Sequence, residues 1–266
     1  MAELTEAPRI QVIATNQSEL TRAAELAEAL RLPAAGVYEG PTDKTDFFLV
    51  VTPHYLGLQA ANEKMQRPFF IDFTHGTQFY RREHATLKSE MLARTLGIKP
   101  QDNALIVDAT AGLGKDGFIL AALGFRTILL ERSPVLYVLL KDAIARANLH
   151  TLTTAATERL QLVHTDSVAW LTQYAQSAQE PISVVYLDPM FPPRQKSAAV
   201  KKDLSLLQRF LPQTHDQEQL LRAALACATK RVVVKRPRLA EPLADLKPHH
   251  SLVGNSSRFD VYLIPR

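Results

Sequence analysis

The sequence contains a single cysteine, Cys227, among 266 residues, so no disulfide can form within the chain. No run of apolar residues reaches the roughly 18 that a membrane-spanning helix needs. The first residues are acidic and are not followed by an apolar segment, so we expect neither a signal peptide nor a membrane anchor. One unpaired cysteine is typical of a reducing compartment, and we therefore expect a cytoplasmic protein.

Repeats, low-complexity tracts and metal-binding patterns are also missing. The eight histidines have no spacing typical of metal ligands, so no metal is predicted. Cys227 lies in an apolar stretch that favours core packing over catalysis. The charge excess is small: 31 basic against 27 acidic side chains give a net charge of +4. This permits a polyanionic partner without requiring one.

The first part of the chain is typical of a small α/β module. Strands are predicted at Ile10–Thr15, Phe47–Val51 and Phe69–Phe73, and a helix at Ser18–Leu30 with Ser18 as its N-cap. A polar and basic stretch follows at Thr74–Lys88. We therefore predict a domain boundary near residue 84, with an N-terminal module at 1–84 and a second domain at 85–266.

The second domain alternates strands with helices, which is typical of a parallel sheet covered on both faces. The predicted strands are Ala104–Asp108, Thr127–Leu130, Leu160–Val163, Ser183–Leu187, Arg231–Lys235 and Phe259–Ile264. The predicted helices are Lys115–Leu123, Pro134–Ala147, Val168–Gln176, Ala198–Phe210 and Asp216–Thr229. Gly124 is expected to end the first of these helices and Ser133 to cap the second. The pattern predicts a doubly wound, Rossmann-like α/β sheet.

A glycine-rich turn follows the first strand of that sheet. Gly112, Gly114 and Gly117 form the pattern G-x-G-x-x-G, which allows a nucleotide to approach the backbone closely. NAD, FAD and S-adenosylmethionine all use such turns, and a tight turn without a ligand has the same pattern. Asp108, at the tip of the strand, favours the methyl donor, because a carboxylate attracts an amino group and repels a pyrophosphate.

Acidic residues also end the next two strands. Glu131 is placed to accept hydrogen bonds from ribose hydroxyls, as in many nucleoside sites, although a solvated residue is the alternative. Asp166 and Ser167 follow the third strand. They could contact an adenine or cap the following helix, and the two roles are compatible.

The fourth strand ends in a motif that indicates the chemistry. Asp188, Pro189 and Phe191 resemble the D/N-P-P-Y/F motif of amino-methyltransferases, with Met190 in place of the second proline. The Asp188 carboxylate and the Pro189 carbonyl would accept both N–H groups of an exocyclic base amine, which localises its lone pair for methyl transfer. Phe191 would stack on the base. A structural Asp-Pro turn is the alternative.

Together, these residues resemble the small-subunit ribosomal RNA guanine-N2 methyltransferase J family. The matching segments are 108–116, 130–132, 184–192, 195–202, 228–237 and 258–260. The resemblance implies a class I methyltransferase domain that uses S-adenosylmethionine to methylate a guanine N2 in 16S rRNA, free or in the small ribosomal subunit. It also implies donor contacts at Lys115, Asp116, Glu131, Arg132, Asp166, Ser167 and Asp188. The chain departs from the family after Arg81-Arg82, where residues 83–88 (EHATLK) stand in place of a glycine-rich stretch, and residues 1–80 match only loosely.

Two basic clusters follow strands that end near Asp188. The predicted RNA-phosphate contacts are Arg194, Lys196, Lys235, Arg236 and Arg238. Solvated charges on the surface are the alternative. Two other functions also stay open at this point: a nicotinamide-dependent oxidoreductase and a noncatalytic RNA-binding assembly factor.

Overall fold

The computed structural model describes residues 8–63, 67–177, 180–189 and 217–265. These divide into two compact units, one running to Ile71 and the other beginning at Asp72.

The first unit is a four-stranded sheet with one helix. Its elements are β1 (Ile10–Ala14), α1 (Leu20–Leu30), β2 (Ala34–Val37), β3 (Phe47–Val51) and β4 (Leu56–Ala60). The strand order is β2-β1-β3-β4, in which β1 is parallel to both neighbours and β4 is antiparallel to β3. The predicted α/β character of this module is confirmed, although β2 and β4 were not predicted.

Two local predictions in this unit are wrong. Ser18 does not cap α1, because its hydroxyl donates instead to Asn16 Oδ1 (2.7 Å) within a short 3-10 turn before the helix. The segment predicted as a strand at Phe69–Phe73 forms only one bridge, between Phe69 and Leu58. Its aromatic residues serve ring packing instead, since Phe70 stacks on Tyr55 at 4.1 Å.

The second unit carries the larger sheet. Its strands are β5 (Leu105–Asp108), β6 (Arg126–Glu131), β7 (Leu160–His164), β8 (Ile182–Leu187), β9 (Arg231–Pro237), β10 (His250–Val253) and β11 (Ser257–Leu263). Its helices are α2 (Gly76–His84), α3 (Met91–Thr95), α4 (Lys115–Ala122), α5 (Pro134–Asn148), α6 (Thr154–Thr157), α7 (Ser167–Ala175) and α8 (Gln217–Cys227). The predicted helix at Ala198–Phe210 lies outside the described residues.

The strand order of this sheet is β10-β11-β9-β8-β5-β6-β7. Strands β5 to β9 are parallel to their neighbours among themselves, whereas β11 runs antiparallel to β9 and β10. The order reverses between β5 and β8, because the chain leaves β5 toward β6 on one side and returns to β8 on the other. Ligands of open α/β sheets bind at such a switch point, beyond the carboxyl ends of the strands.

Alternate residues of the central strands face two separate cores. Leu105 and Val107 of β5 pack in the core that contains Leu171 of α7 and the apolar face of α8, including Cys227. Ile106 points the other way, into the core formed with α3 and α4. The sheet is therefore covered by helices on both faces, as predicted. Burial among apolar side chains raises the pKa of the Cys227 thiol to about 11, which suits a packing role.

The cap predictions for two helices are confirmed. Gly124 adopts a left-handed backbone (φ 98°) just beyond α4, a conformation that favours glycine. Ser133 accepts a hydrogen bond from the Leu136 N–H (3.3 Å) at the start of α5.

The second unit begins earlier than the boundary predicted near residue 84. Helix α2 was assigned to the N-terminal module, but its arginines bond within the second unit. Arg81 pairs with Asp116, and Arg82 donates to the carbonyl of Leu152. The polar composition of this segment predicts a domain boundary, whereas in the structure its arginines bond to residues 35 and 70 positions away in sequence.

Candidate active site

The glycine-rich turn after β5 has a backbone conformation that glycine adopts without strain. Gly112 and Gly114 both have left-handed backbones, with φ of 52° and 68°. A Cβ at Gly112 would make only an ordinary contact, with the carbonyl oxygen of Thr110 at 3.8 Å, whereas one at Gly114 would collide with Leu140, and one at Gly117 with Leu129. Gly114 and Gly117 are therefore needed for packing, while Gly112 leaves room beside the backbone for a ligand.

Asp108 is buried at the end of β5, with only 2% of its surface exposed. Its Oδ1 accepts a hydrogen bond from the Thr110 N–H at 3.1 Å. Burial, opposed by that hydrogen bond but reinforced by the charges of Asp116 and Asp188, raises the pKa of Asp108 to about 8. A cationic group next to Asp108 would lower this pKa and stabilise the ionised carboxylate.

Glu131 closes the turn from the neighbouring strand β6. Its Oε2 accepts the Gly112 N–H (2.8 Å) and its Oε1 accepts the Ser133 N–H (2.7 Å). Burial raises the pKa of Glu131, while these backbone hydrogen bonds oppose the rise. Because each carboxylate oxygen can accept more than one hydrogen bond, Glu131 still has acceptor capacity for a ligand.

The residues after β7 meet the same loop. Asp166 accepts the Ala169 N–H (2.9 Å) and thereby caps α7, which confirms the predicted cap. The Ser167 hydroxyl donates to the carbonyl of Ala109 (2.7 Å), which ties this strand end to the turn after β5. Lys115 and Arg132, the other predicted donor contacts on this side, are exposed.

Asp188 lies across the switch point, at the end of β8. Its N–H donates to the Thr110 hydroxyl at 2.6 Å, so the two central strand ends are joined directly. The side chain is 36% exposed, and its Oδ2 accepts a hydrogen bond from the Lys235 ammonium at 2.8 Å. Partial burial raises the pKa of Asp188, and the ammonium of Lys235 opposes that rise.

Asp116, in the first turn of α4, is the centre of a charged network. Its Oδ1 accepts Arg81 (2.8 Å), and its Oδ2 accepts both Lys235 (2.8 Å) and the Tyr186 hydroxyl (2.7 Å). Burial alone would raise the pKa of Asp116, but Lys235 and Arg81 lower it to about 2. Arg81 is itself held by Glu90 through a two-point ion pair.

Two residues predicted to contact RNA phosphates have side chains that face the protein interior. Lys235 points into the site between two carboxylates and not outward, and Arg236 is buried with its guanidinium donating to the carbonyl of Glu241. Both residues face inward because β9 is an interior strand, so its side chains pack against neighbouring elements. Arg238, just beyond β9, is exposed. Arg194, Lys196 and Phe191 lie outside the described residues.

Three members of the site were not predicted: Arg81, Thr110 and Tyr186. In the sequence, Arg81 stands out only as half of a double arginine, and Tyr186 only as part of an apolar strand. Tyr186 is 1% exposed with its hydroxyl on a carboxylate. A polar-tipped residue two positions before Asp188 is the signal that could have identified it.

The described ranges contain no helix long and apolar enough to cross a membrane. Over the same residues, no three histidine, cysteine, aspartate or glutamate side chains are grouped so as to hold a metal ion.

Comparison with known proteins gives consistent matches over nearly the whole chain. The family model for SAM-dependent methyltransferases, where SAM is S-adenosylmethionine, matches residues 32–264. The ribosomal RNA small subunit methyltransferase J of Thioalkalivibrio sulfidiphilus is 41% identical over 96% of this chain and 98% of its own. The Coxiella burnetii protein of the same name is 38% identical over 93% and 94%. The crystal structure of a SAM-dependent methyltransferase from Neisseria gonorrhoeae superposes with a TM-score of 0.72, at 30% identity and 95% coverage of both chains.

Proposed function

The chain belongs to the SAM-dependent methyltransferases and, among them, to the ribosomal RNA small subunit methyltransferase J family, and from this we propose that it methylates the N2 amine of a guanine in 16S rRNA. Membership confirms the resemblance and the Rossmann-like class I fold predicted from the sequence. It also removes the alternatives of a nicotinamide-dependent oxidoreductase and a noncatalytic assembly factor.

The strand ends of β5 to β7 fit S-adenosylmethionine, which supplies an electrophilic methyl group when bound. The backbone at Gly112 is not crowded, which leaves room for a ligand beside it, and Asp108 offers a buried carboxyl group to an amino group. Glu131 would hold the ribose hydroxyls, and Asp166 with Ser167 would hold the adenine. The full proposed donor set is Asp108, Gly112, Gly114, Lys115, Asp116, Glu131, Arg132, Asp166, Ser167 and Asp188.

The observation that carries the chemistry is the position of Asp188 at the switch point, where Lys235 engages one of its two carboxylate oxygens. Lys235 occupies Oδ2, and Oδ1 accepts no hydrogen bond from any described residue. An amine N–H can therefore donate to Oδ1 and a second N–H to the Pro189 carbonyl. Two acceptors draw electron density toward the nitrogen lone pair, which aromatic delocalisation otherwise withholds. Phe191 would stack on the base.

The RNA would be held beside this strand end. Arg238 is exposed just after β9, and Arg194 with Lys196 follows the Asp188 motif in sequence. We propose these three as phosphate contacts, since Lys235 and Arg236 face inward. A ribosomal RNA substrate, free or in the small subunit, implies activity in the cytoplasm. We assign the transfer to the predicted methyltransferase domain at 85–266, together with α2.

The test is methyl transfer to small ribosomal subunits, and separately to naked 16S rRNA, purified from cells that lack the gene. Labelled methyl groups should appear as N2-methylguanosine after digestion to nucleosides, with one site per 16S rRNA. Label in another nucleoside, or no label in either substrate while the protein binds S-adenosylhomocysteine, would contradict the proposed target.

A further inference from the structure

Lys235 is the one basic side chain of the described residues that touches both Asp116 and Asp188. Its ammonium lies 2.8 Å from an oxygen of each carboxylate. It follows Val232, Val233 and Val234, which are fully buried in β9. A charged residue at this depth, 29% exposed, is stabilised by its two anionic partners.

The position of the ammonium is set from the side of Asp116. Arg81 and Tyr186 both donate to that carboxylate, and Glu90 holds Arg81 in turn. Asp116 is therefore anchored by three elements: α2, β8 and its own helix α4. The ammonium of Lys235 bridges this anchored carboxylate and Asp188 Oδ2. The series of contacts that begins at Glu90 therefore ends at Asp188, the residue proposed to face the target amine.

We propose that Lys235 is a positioning residue that keeps Asp188 ionised and turns its Oδ1 toward the amine of the target base. This inference rests on the proposed function of Asp188. The ammonium does not touch the amine; it acts through the carboxylate that does.

The charge balance explains why the lysine is needed. The groups that face Asp188 or its partners are Asp108, Asp116, Tyr186, Lys235 and Arg81. Without Lys235, Asp188 would keep the repulsion of Asp116 and the cost of burial and would lose its only cationic contact among the described residues. Its pKa would rise, and a protonated Asp188 would donate a hydrogen bond where the amine also donates.

The proton count follows from the same arrangement. The amine nitrogen forms a bond to the methyl carbon, and the sulfur–carbon bond breaks with its electron pair left on sulfur. The nitrogen then carries an excess proton, which leaves through Asp188 Oδ1 to water. Lys235 keeps its proton throughout: burial lowers the pKa of its ammonium, but the two carboxylates together raise it by more.

The experiment compares the pH dependence of turnover for Lys235→Met, Lys235→Arg and Lys230→Met, at saturating cofactor and RNA. Lys230 is exposed and stands just before β9, which makes it a matched control. At neutral pH we expect Lys235→Met to lose about 10²-fold in turnover, the scale of one misplaced proton acceptor, and to recover part of it as the pH rises. Lys235→Arg should keep most of the activity, and Lys230→Met all of it.

A second measurement does not depend on turnover. The side-chain carboxyl carbon of Asp188, assigned in NMR spectra with the Asp188→Asn variant, should titrate at higher pH in Lys235→Met than in the wild type. A uniform loss of turnover at every pH, or an unchanged Asp188 titration, would overturn the positioning role. If the wild type itself failed to methylate rRNA, the proposed function would be wrong, while the NMR titration would still test the link between Lys235 and Asp188.

Discussion

The ends of β6 and β8 each present one acidic side chain to the active site, and they are held in different ways. Glu131 is held by the main-chain N–H groups of Gly112 and Ser133. Asp188 is held by a side chain, the ammonium of Lys235. Main-chain donors are set by the turn itself, whatever side chains flank it, whereas a side-chain donor brings a full charge that can tune a proton acceptor. The carboxylate proposed to bind ribose is thus fixed by the backbone, and the carboxylate proposed to face the amine is fixed by a charged side chain.

Asp188→Ala should produce the largest effect, because it removes the acceptor on the reacting side. We expect turnover at saturating cofactor to fall by about 10²–10⁴-fold, the scale of one positioned proton acceptor. The fold should survive, since the residue lies at a strand tip with 36% of its side chain exposed. Single-turnover assays and thermal denaturation measure the two effects separately. Saturated turnover near that of the wild type would refute the amine-methylation mechanism.

Glu131→Ala should affect binding and not the chemical step. We expect it to weaken cofactor affinity by about 1.5–3 kcal/mol, the value of hydrogen bonds to a charged group. Calorimetric titration with S-adenosylhomocysteine measures this directly, with the exposed residue Glu158 changed to Ala as the control. Unchanged affinity would show that Glu131 does not bind the cofactor. The proposed division between cofactor binding at the end of β6 and chemistry at the end of β8 would then be wrong.

Arg81→Met tests whether the positions of Lys235 and Asp188 depend on a side chain that does not contact Asp188. Asp116 would lose one of its two cationic partners, so its pKa would rise from about 2 and its hold on Lys235 would weaken. We expect turnover to fall by about tenfold, as for a small misplacement of a reacting group, with cofactor affinity changed less than by Glu131→Ala. Steady-state kinetics of this variant and of Arg94→Met, an exposed arginine of α3, provide the comparison. Equal kinetics for the two variants would show that α2 does not support the site.

Arg238→Ala should have the smallest effect, because it concerns a single exposed charge. If Arg238 contacts a phosphate, the slope of log affinity against log salt should decrease by about one, with donor affinity unaltered. Filter binding to 16S rRNA at several salt concentrations gives the slope, and Lys230→Ala serves as the control. An unaltered slope would leave Arg238 as solvated surface.

Local patterns were sufficient to predict much of the larger sheet. Alternation of apolar strands with helical stretches placed β5 to β9 to within a few residues, because buried parallel strands consist of continuous apolar runs. The same logic failed for Phe69–Phe73, where aromatic residues pack as rings and do not form a pleated strand. The short strand β10 was not predicted, since it is largely exposed and has no apolar run.

The sequence by itself determined which residues end the central strands: Asp108, Glu131 and Asp188 each follow an apolar run, and parallel strands bring their carboxyl ends to one edge. Only the tertiary structure decided what each charge contacts. Lys235 was interpreted as a phosphate contact, yet its partners lie 119 and 47 positions away in sequence. A lysine's charge fits a phosphate and a carboxylate equally well, and the choice depends on which anion the folded chain brings within about 3 Å.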